Sequence, residues 1–134
     1  MIESIRDIAT KDGAMETFIV HPDRGAHPVV LFLMDAPGIR PELYDMARRL
    51  ATVGYYVMLP NLYYRAGKDT KYGPDVLEKG SAEQARMRAV RTKMTIPPVM
   101  DDVAAMIAHA DTQQEAKQGP VGTHGYCMSG PYAL

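Results

Sequence analysis

The chain has 134 residues, of which 46% are apolar and 23% charged, and 15 Lys and Arg against 16 Asp and Glu leave a formal net charge of −1. That apolar share supports a packed core and excludes a disordered tail. The balanced charge excludes a nucleic-acid binder, because phosphate-directed affinity needs an excess of cations. The only cysteine, Cys127, cannot close an internal disulfide, and His21, His27, His109 and His124 are scattered without zinc spacing. A reducing, cytoplasmic setting is therefore expected, with no metal and no cofactor. Residues Met1–Asp7 lack the apolar stretch of a signal peptide, and the longest apolar run, Val29–Met34, is far too short to cross a bilayer, so no membrane association is expected.

In chain order, residues 2–9 and 14–21 alternate loosely around Lys11-Asp12-Gly13, which reads as an antiparallel hairpin. Val29–Met34 is a continuous apolar, β-branched run, typical of a strand covered on both faces. Pro41 at a first turn, Leu43, Met46, Ala47, Leu50 and Val53 at helical spacing, and Gly54 as the stop predict a helix. Residues 55–60 then read as a second buried strand. Strand, helix and strand with short links make a right-handed βαβ unit, so the class is α/β.

Residues 61–80, rich in Tyr, Gly, Lys and Asp, read as a surface loop at the carboxyl end of a strand, where open α/β sheets place their ligand sites. Ser81 with Gln84 forms a capping-box pattern before a helix over 81–94. Pro97-Pro98 breaks the chain, and a further helix over about 98–110 carries Val99, Val103, Met106, Ile107 and Ala110 on one face, with Asp101 and Asp102 near its positive end. Gly119-Pro120 leads into a third parallel strand, Val121–Tyr126. His21, His27 and His109 fall at an edge strand, a loop and a helix end, as ordinary surface residues.

Gly125-Tyr126-Cys127-Met128-Ser129-Gly130 carries the chemistry. Small residues two places either side of a nucleophile let a strand turn sharply into a helix, with the nucleophile in strained backbone geometry at the apex. Such a turn exposes the Cys127 thiol, aims a helix N-terminus at it and offers the Met128 N–H to a developing oxyanion. The competing reading, a buried structural cysteine, loses to the flanking Gly125, Ser129 and Gly130. Ser129 as nucleophile would place Cys127 and Pro131 at the small positions and is rejected. His124, within the strand, cannot easily turn back to Cys127.

These residues resemble the dienelactone hydrolase family of the α/β hydrolases. The likeness covers the hairpin, Val29–Met34 with Asp35-Ala36-Pro37-Gly38, the Gly54-Tyr55 junction, Pro60-Asn61-Leu62-Tyr63-Tyr64-Arg65 and the cysteine elbow. The resemblance implies a lactone or ester substrate, Cys127 as nucleophile, Asp35 as the acid contacting the thiol, and the Ala36 and Met128 N–H groups as the oxyanion hole. Asp35 is one methylene shorter than the family's usual Glu, and the alternative for it is a loop acid capping the helix near Pro41. Ala82 stands where the family has a substrate-binding Arg, leaving Arg86, Arg88 or Arg65 as substitutes, with Arg86 foremost; the alternative, and the reading favoured for these arginines, is a solvated basic helix face. Asn61, usually Asp in the family, is expected to structure its loop.

The triad acid and histidine follow the nucleophile in α/β hydrolases, and Met128–Leu134 contains no Asp, Glu or His. The expectation is an incomplete α/β-hydrolase fold: residues 1–134 form the N-terminal portion of a single domain whose later strands and helices are absent. Exposed apolar surface is then expected along Val121–Tyr126, an unpaired edge offering self-association. The alternative function is a catalytically dead hydrolase-like domain that binds a partner or small ligand.

Overall fold

The computed structural model describes residues 1–67 and 71–134; residues 68–70, part of the expected 61–80 loop, lie outside the described residues. The hairpin forms as β1 (Ile2–Thr10) and β2 (Gly13–His21), antiparallel from Ile2 opposite His21 to Thr10 opposite Gly13. The buried runs become β3 (Val29–Leu33) and β4 (Tyr56–Pro60), joined through α1 (Pro41–Thr52). Beyond β4 come α2 (Ala82–Arg91), α3 (Ile96–Asp111), β5 (Gly122–Gly125) and a single turn, α4 (Gly130–Ala133).

The five strands lie in the order β1-β2-β4-β3-β5, with β3 parallel to both β4 and β5 and β2 antiparallel to β4. From β3 the chain crosses to β4 on one side and then returns past β3 to β5 on the other. Right-handed crossovers in opposite directions put α1 and α3 on opposite faces of the sheet. Accordingly α1 lies against β2 and β4, with Tyr44 meeting Phe18 edge to face at 4.7 Å, while α3 lies against β1 and β3. Leu43, Ala47 and Ala51 seal one layer, and Val99, Met106 and Ala110 the other. Between them Leu31, Phe32, Leu33, Val57 and Met58 are fully buried, which accounts for unbroken apolar runs in place of alternation.

Several local expectations change. The α3 helix starts at Ile96, two residues before the expected 98, so Pro97 joins Pro98 in its first turn, because a first helical turn has no use for the N–H that proline lacks. Ser81 Oγ accepts the Gln84 N–H as expected, but the Gln84 side chain returns to the Gly80 N–H, one residue earlier than a capping box requires. The 61–80 segment is not a surface loop throughout: Asn61, Leu62, Tyr63, Tyr64 and Val76 are buried. His21 is also buried, stacked on Tyr56 at 5.2 Å, because β2 lies between β1 and β4 and is not an edge.

The strand β5 pairs with β3 alone among the described strands. Its open side differs from the expected apolar surface: Gly122 and Thr123 are exposed, Val121 is half-buried, and only Tyr126 shows a large aromatic area. What is left open there is mainly backbone.

Candidate active site

The point at which the chain reverses its direction across a parallel sheet leaves a crevice at the carboxyl ends of the strands on either side. Here those strands are β3 and β5, whose pairing ends with Leu33 opposite Gly125. The residues that follow, Met34-Asp35-Ala36 on one strand and Tyr126-Cys127-Met128 on the other, therefore leave the sheet side by side.

Cys127 adopts φ +52°, the only positive φ of a non-glycine residue among the described residues, and its side chain is exposed. A left-handed conformation at a residue with a Cβ costs about 1–2 kcal/mol, so the surroundings must hold it in place. The tight turn explains the small neighbours: a Cβ on Gly125 would stand 2.8 Å from the Ser129 carbonyl oxygen, closer than side-chain carbons approach. Ser129, which takes the other small position, is fully buried and donates its hydroxyl to the Met34 carbonyl. The elbow is thereby tied across to the end of β3. The chain turns helical directly after the elbow, at α4 (Gly130–Ala133).

The two expected oxyanion donors, Ala36 and Met128, lie on the segments that leave β3 and β5. Ala36 lies in a turn closed by the Gly38 N–H to the Asp35 carbonyl at 3.0 Å, and Met128 follows Cys127 directly. Among the described residues neither the Ala36 nor the Met128 N–H donates to another backbone group. Tyr63, 1% exposed, brings its hydroxyl to both residues, donating to the Ala36 carbonyl at 2.7 Å with Met128 Sδ at 3.4 Å.

Asp35 is held elsewhere. Its two carboxylate oxygens accept from the Arg40 guanidinium at 2.6 and 2.8 Å, and no hydrogen bond joins it to Cys127 among the described residues. Nor does it cap α1: the N-cap is Arg40, and no side chain bonds to that helix start. Arg40 also donates to the Gly38 carbonyl, so the pair locks the 35–40 turn. The Asp35 carboxylate in turn holds the Arg40 guanidinium above its ordinary pKa.

The exposed sulfur opens into a cleft of about 860 Å³ lined by Arg88, Arg91, Met94, Cys127, Met128 and Tyr132, among others. Arg86 is not part of it. Its guanidinium donates to the Lys71 carbonyl and to Glu83 and lies over the Tyr72 ring, because a residue two positions before Arg88 and five before Arg91 faces another side of α2. Arg65 is likewise remote, bonded to Asp12 and Asp102. His124 packs edge to face against Phe32 and Tyr126 within the sheet. Asn61 structures its loop as expected, its side-chain oxygen accepting the Tyr63 N–H. Sequence reasoning missed Tyr63 as part of this site; its signal was three consecutive apolar or aromatic residues, Leu62–Tyr64, in a segment otherwise read as surface.

Among the described residues, no group of three or more His, Cys, Asp or Glu is placed to hold a metal ion, and no helix is long and apolar enough to cross a membrane.

A mixed sheet with helices on both faces and a strained nucleophile-type turn after a parallel strand is the α/β-hydrolase fold, and solved structures agree. A Klebsiella pneumoniae structure assigned to the dienelactone hydrolases matches 98% of this chain and 54% of its own, with TM-score 0.81 and 21% identity. A dienelactone hydrolase from Anabaena variabilis gives TM-score 0.67 at 16% identity over 98% of this chain and 55% of its own. The model of the dienelactone hydrolase family matches residues 15–134, and the chain belongs to that family. Curated relatives include the carboxymethylenebutenolidases of Pseudomonas sp. (strain P51) and Rhodococcus opacus, 28% and 29% identical over 84% of this chain. Those matches span 45% and 39% of the relatives, so the chain covers less than half their length.

Proposed function

We propose that this chain carries the nucleophile half of a cysteine hydrolase that opens a lactone or ester. The observation that carries the reading is Cys127 itself: held at φ +52°, exposed, and at the head of a cleft. The Cys127 sulfur attacks the carbonyl carbon and the C–S bond forms as the carbonyl oxygen takes negative charge. The Ala36 and Met128 N–H groups stabilise that oxygen, each worth about 3 kcal/mol of barrier. The C–O bond to the alkoxide then breaks, leaving an acyl-thioester, and a water molecule activated by a downstream histidine completes the hydrolysis.

Residues 128–134 supply no such histidine. The step that residues 1–134 can be tested for is therefore the acylation of Cys127. Asp35 enters as the acid of the site, and reaches the thiol only by giving up its two bonds to Arg40. The anchoring role expected for Arg86 passes to Arg88 and Arg91, which line the cleft beside the sulfur and favour an anionic acyl group. A small-molecule lactone or ester is the substrate this reading implies.

A burst experiment with p-nitrophenyl acetate tests this reading. One equivalent of p-nitrophenolate per chain, lost in Cys127→Ala, is the expected result; a burst of equal size in Cys127→Ala contradicts it.

A further inference from the structure

Strand pairing between β3 and β5 ends at Leu33 and Gly125, yet the two oxyanion donors lie on the loops beyond, at Ala36 and Met128. An oxyanion hole stabilises charge only when both donors stand about 2.7–3.1 Å from the place the oxygen will occupy. Misplacement by about 1 Å is enough to cost on the order of 10²-fold in rate. Something other than the sheet must fix the two loops relative to each other.

Two buried hydroxyls span that gap. Ser129 Oγ donates to the Met34 carbonyl, two residues before Ala36. The Tyr63 hydroxyl donates to the Ala36 carbonyl at 2.7 Å and touches Met128 Sδ at 3.4 Å, so one atom meets both donor residues. We propose that the Tyr63 hydroxyl is a positioning group for the oxyanion hole, holding Ala36 and Met128 at a fixed separation, with Ser129 as a second pin between the same loops. The proposal rests on the reading of Cys127 as an acyl acceptor.

Tyr63 is suited to this because it is anchored from a third direction. Its N–H donates to Asn61 Oδ1 at 3.1 Å, and the Asn61 N–H donates to the Glu16 carbonyl at 2.8 Å, which ties the segment to β2. The ring is wholly enclosed and lies edge to face with Tyr72 at 6.1 Å. Burial, reinforced by Tyr72, keeps the hydroxyl protonated far above its ordinary range, so it remains a donor to the Ala36 carbonyl. Phenylalanine would fill the same volume; only the hydroxyl joins the two loops. Ser129 is particular in the same way, since the glycine that the elbow pattern permits at its position has no hydroxyl.

The experiment compares two reactions of Cys127 in the full 134-residue chain. With p-nitrophenyl acetate the sulfur forms a C–S bond to the acetyl carbon through a tetrahedral oxyanion, the C–O bond breaks, p-nitrophenolate leaves, and the thiol proton passes to solvent. With iodoacetamide the sulfur displaces iodide from a CH2 group, the thiol proton again passing to solvent, and no oxyanion forms. Tyr63→Phe is expected to lower the acylation rate on the order of 10-fold to 100-fold while alkylation changes less than about two-fold. Ser129→Ala is expected to lower the same ratio by a smaller factor. Equal falls in both reactions, or unchanged acylation in a Tyr63→Phe chain with native circular dichroism, overturn the proposal. Should Tyr63→Phe fail to fold, Ser129→Ala decides it by the same ratio, an unchanged ratio overturning it. A wild-type chain that is alkylated at Cys127 but never acylated overturns the acyl-acceptor reading and the hole with it; wild-type acylation unaffected by either variant overturns the positioning role alone.

Discussion

Tyr63 and Arg65 stand two residues apart in one segment, yet they face two junctions built on opposite principles. Arg65 closes the junction between the hairpin and α3: it donates twice to Asp102 at 2.9 Å, once to Asp12 at 2.8 Å and once to the Pro98 carbonyl, and lies over the Tyr64 ring. Tyr64 adds a bond to Asp102 and another to Thr10, both 2.7 Å. Asp102 is fully buried there, with both its oxygens occupied by donors. The elbow side has the reverse character, with a strained and exposed Cys127 held across the gap by the hydroxyls of Tyr63 and Ser129. The first junction is redundant and carries stability. The second keeps a high-energy backbone at Cys127 and leaves the Ala36 and Met128 N–H groups without a backbone acceptor among the described residues.

Removing the nucleophile separates the two most sharply. Cys127→Gly is expected to abolish acylation by p-nitrophenyl acetate and to raise stability by about 1 kcal/mol, because glycine accepts φ +52° without the Cβ clash. Thermal melting beside the burst assay checks both; a lowered melting temperature would break the claim that strain is stored at Cys127.

Asp102→Ala should do the opposite. It leaves the Arg65 guanidinium and Tyr64 hydroxyl without their shared acceptor, and breaking a buried pair from one side costs about 3–5 kcal/mol. Urea unfolding measures this, and a loss under about 1 kcal/mol would show that the junction carries less stability than its bonds imply. Gly125→Ala acts on the elbow through contact alone, since its Cβ meets the Ser129 carbonyl oxygen. Forcing such contacts costs about 1–3 kcal/mol, read in the same unfolding experiment, with acylation falling as well.

The remaining effect is alkaline. Burial raises Tyr56 and Tyr64 to about 12, so both are protonated in the folded chain at pH values where the unfolded chain has begun to ionise. Stability from this source is complete below about pH 10, the unfolded value, and is lost as pH rises through about 12. Melting temperature against pH between 9 and 12, with Tyr64→Phe reducing the slope, checks it.

Much of the fold was legible because periodicity reports directly on it. Val29–Met34 and residues 55–60 could only be covered strands, and Pro41 with Gly54 bounded α1 within a residue or two. The cysteine elbow was legible for a related reason: its spacing of small residues answers a local steric demand that Gly125 now displays. What stayed hidden depends on long-range partners. Nothing near Asp102 in sequence announces that Arg65 and Tyr64 meet it from 37 and 38 residues away. Asp35 was read from its place after β3, but its acceptance of Arg40, five residues on, turns on how the 35–40 turn folds. Arg86 differs from Arg88 and Arg91 only in helical phase, which is decided by how α2 docks. Tyr63 looked like surface because its segment lacks a period, although the segment is pinned through Asn61 to β2.

The central claim is that Cys127 accepts an acyl group. Mass spectrometry of the 134-residue chain after incubation with an anionic enol-lactone tests it most directly, with peptide mapping of any adduct. The account predicts one added mass equal to the whole lactone, located on Cys127, reduced when Arg88 and Arg91 are replaced by Ala and absent in Cys127→Ala. An adduct on any other residue, or none on Cys127 while iodoacetamide labels it, would contradict it.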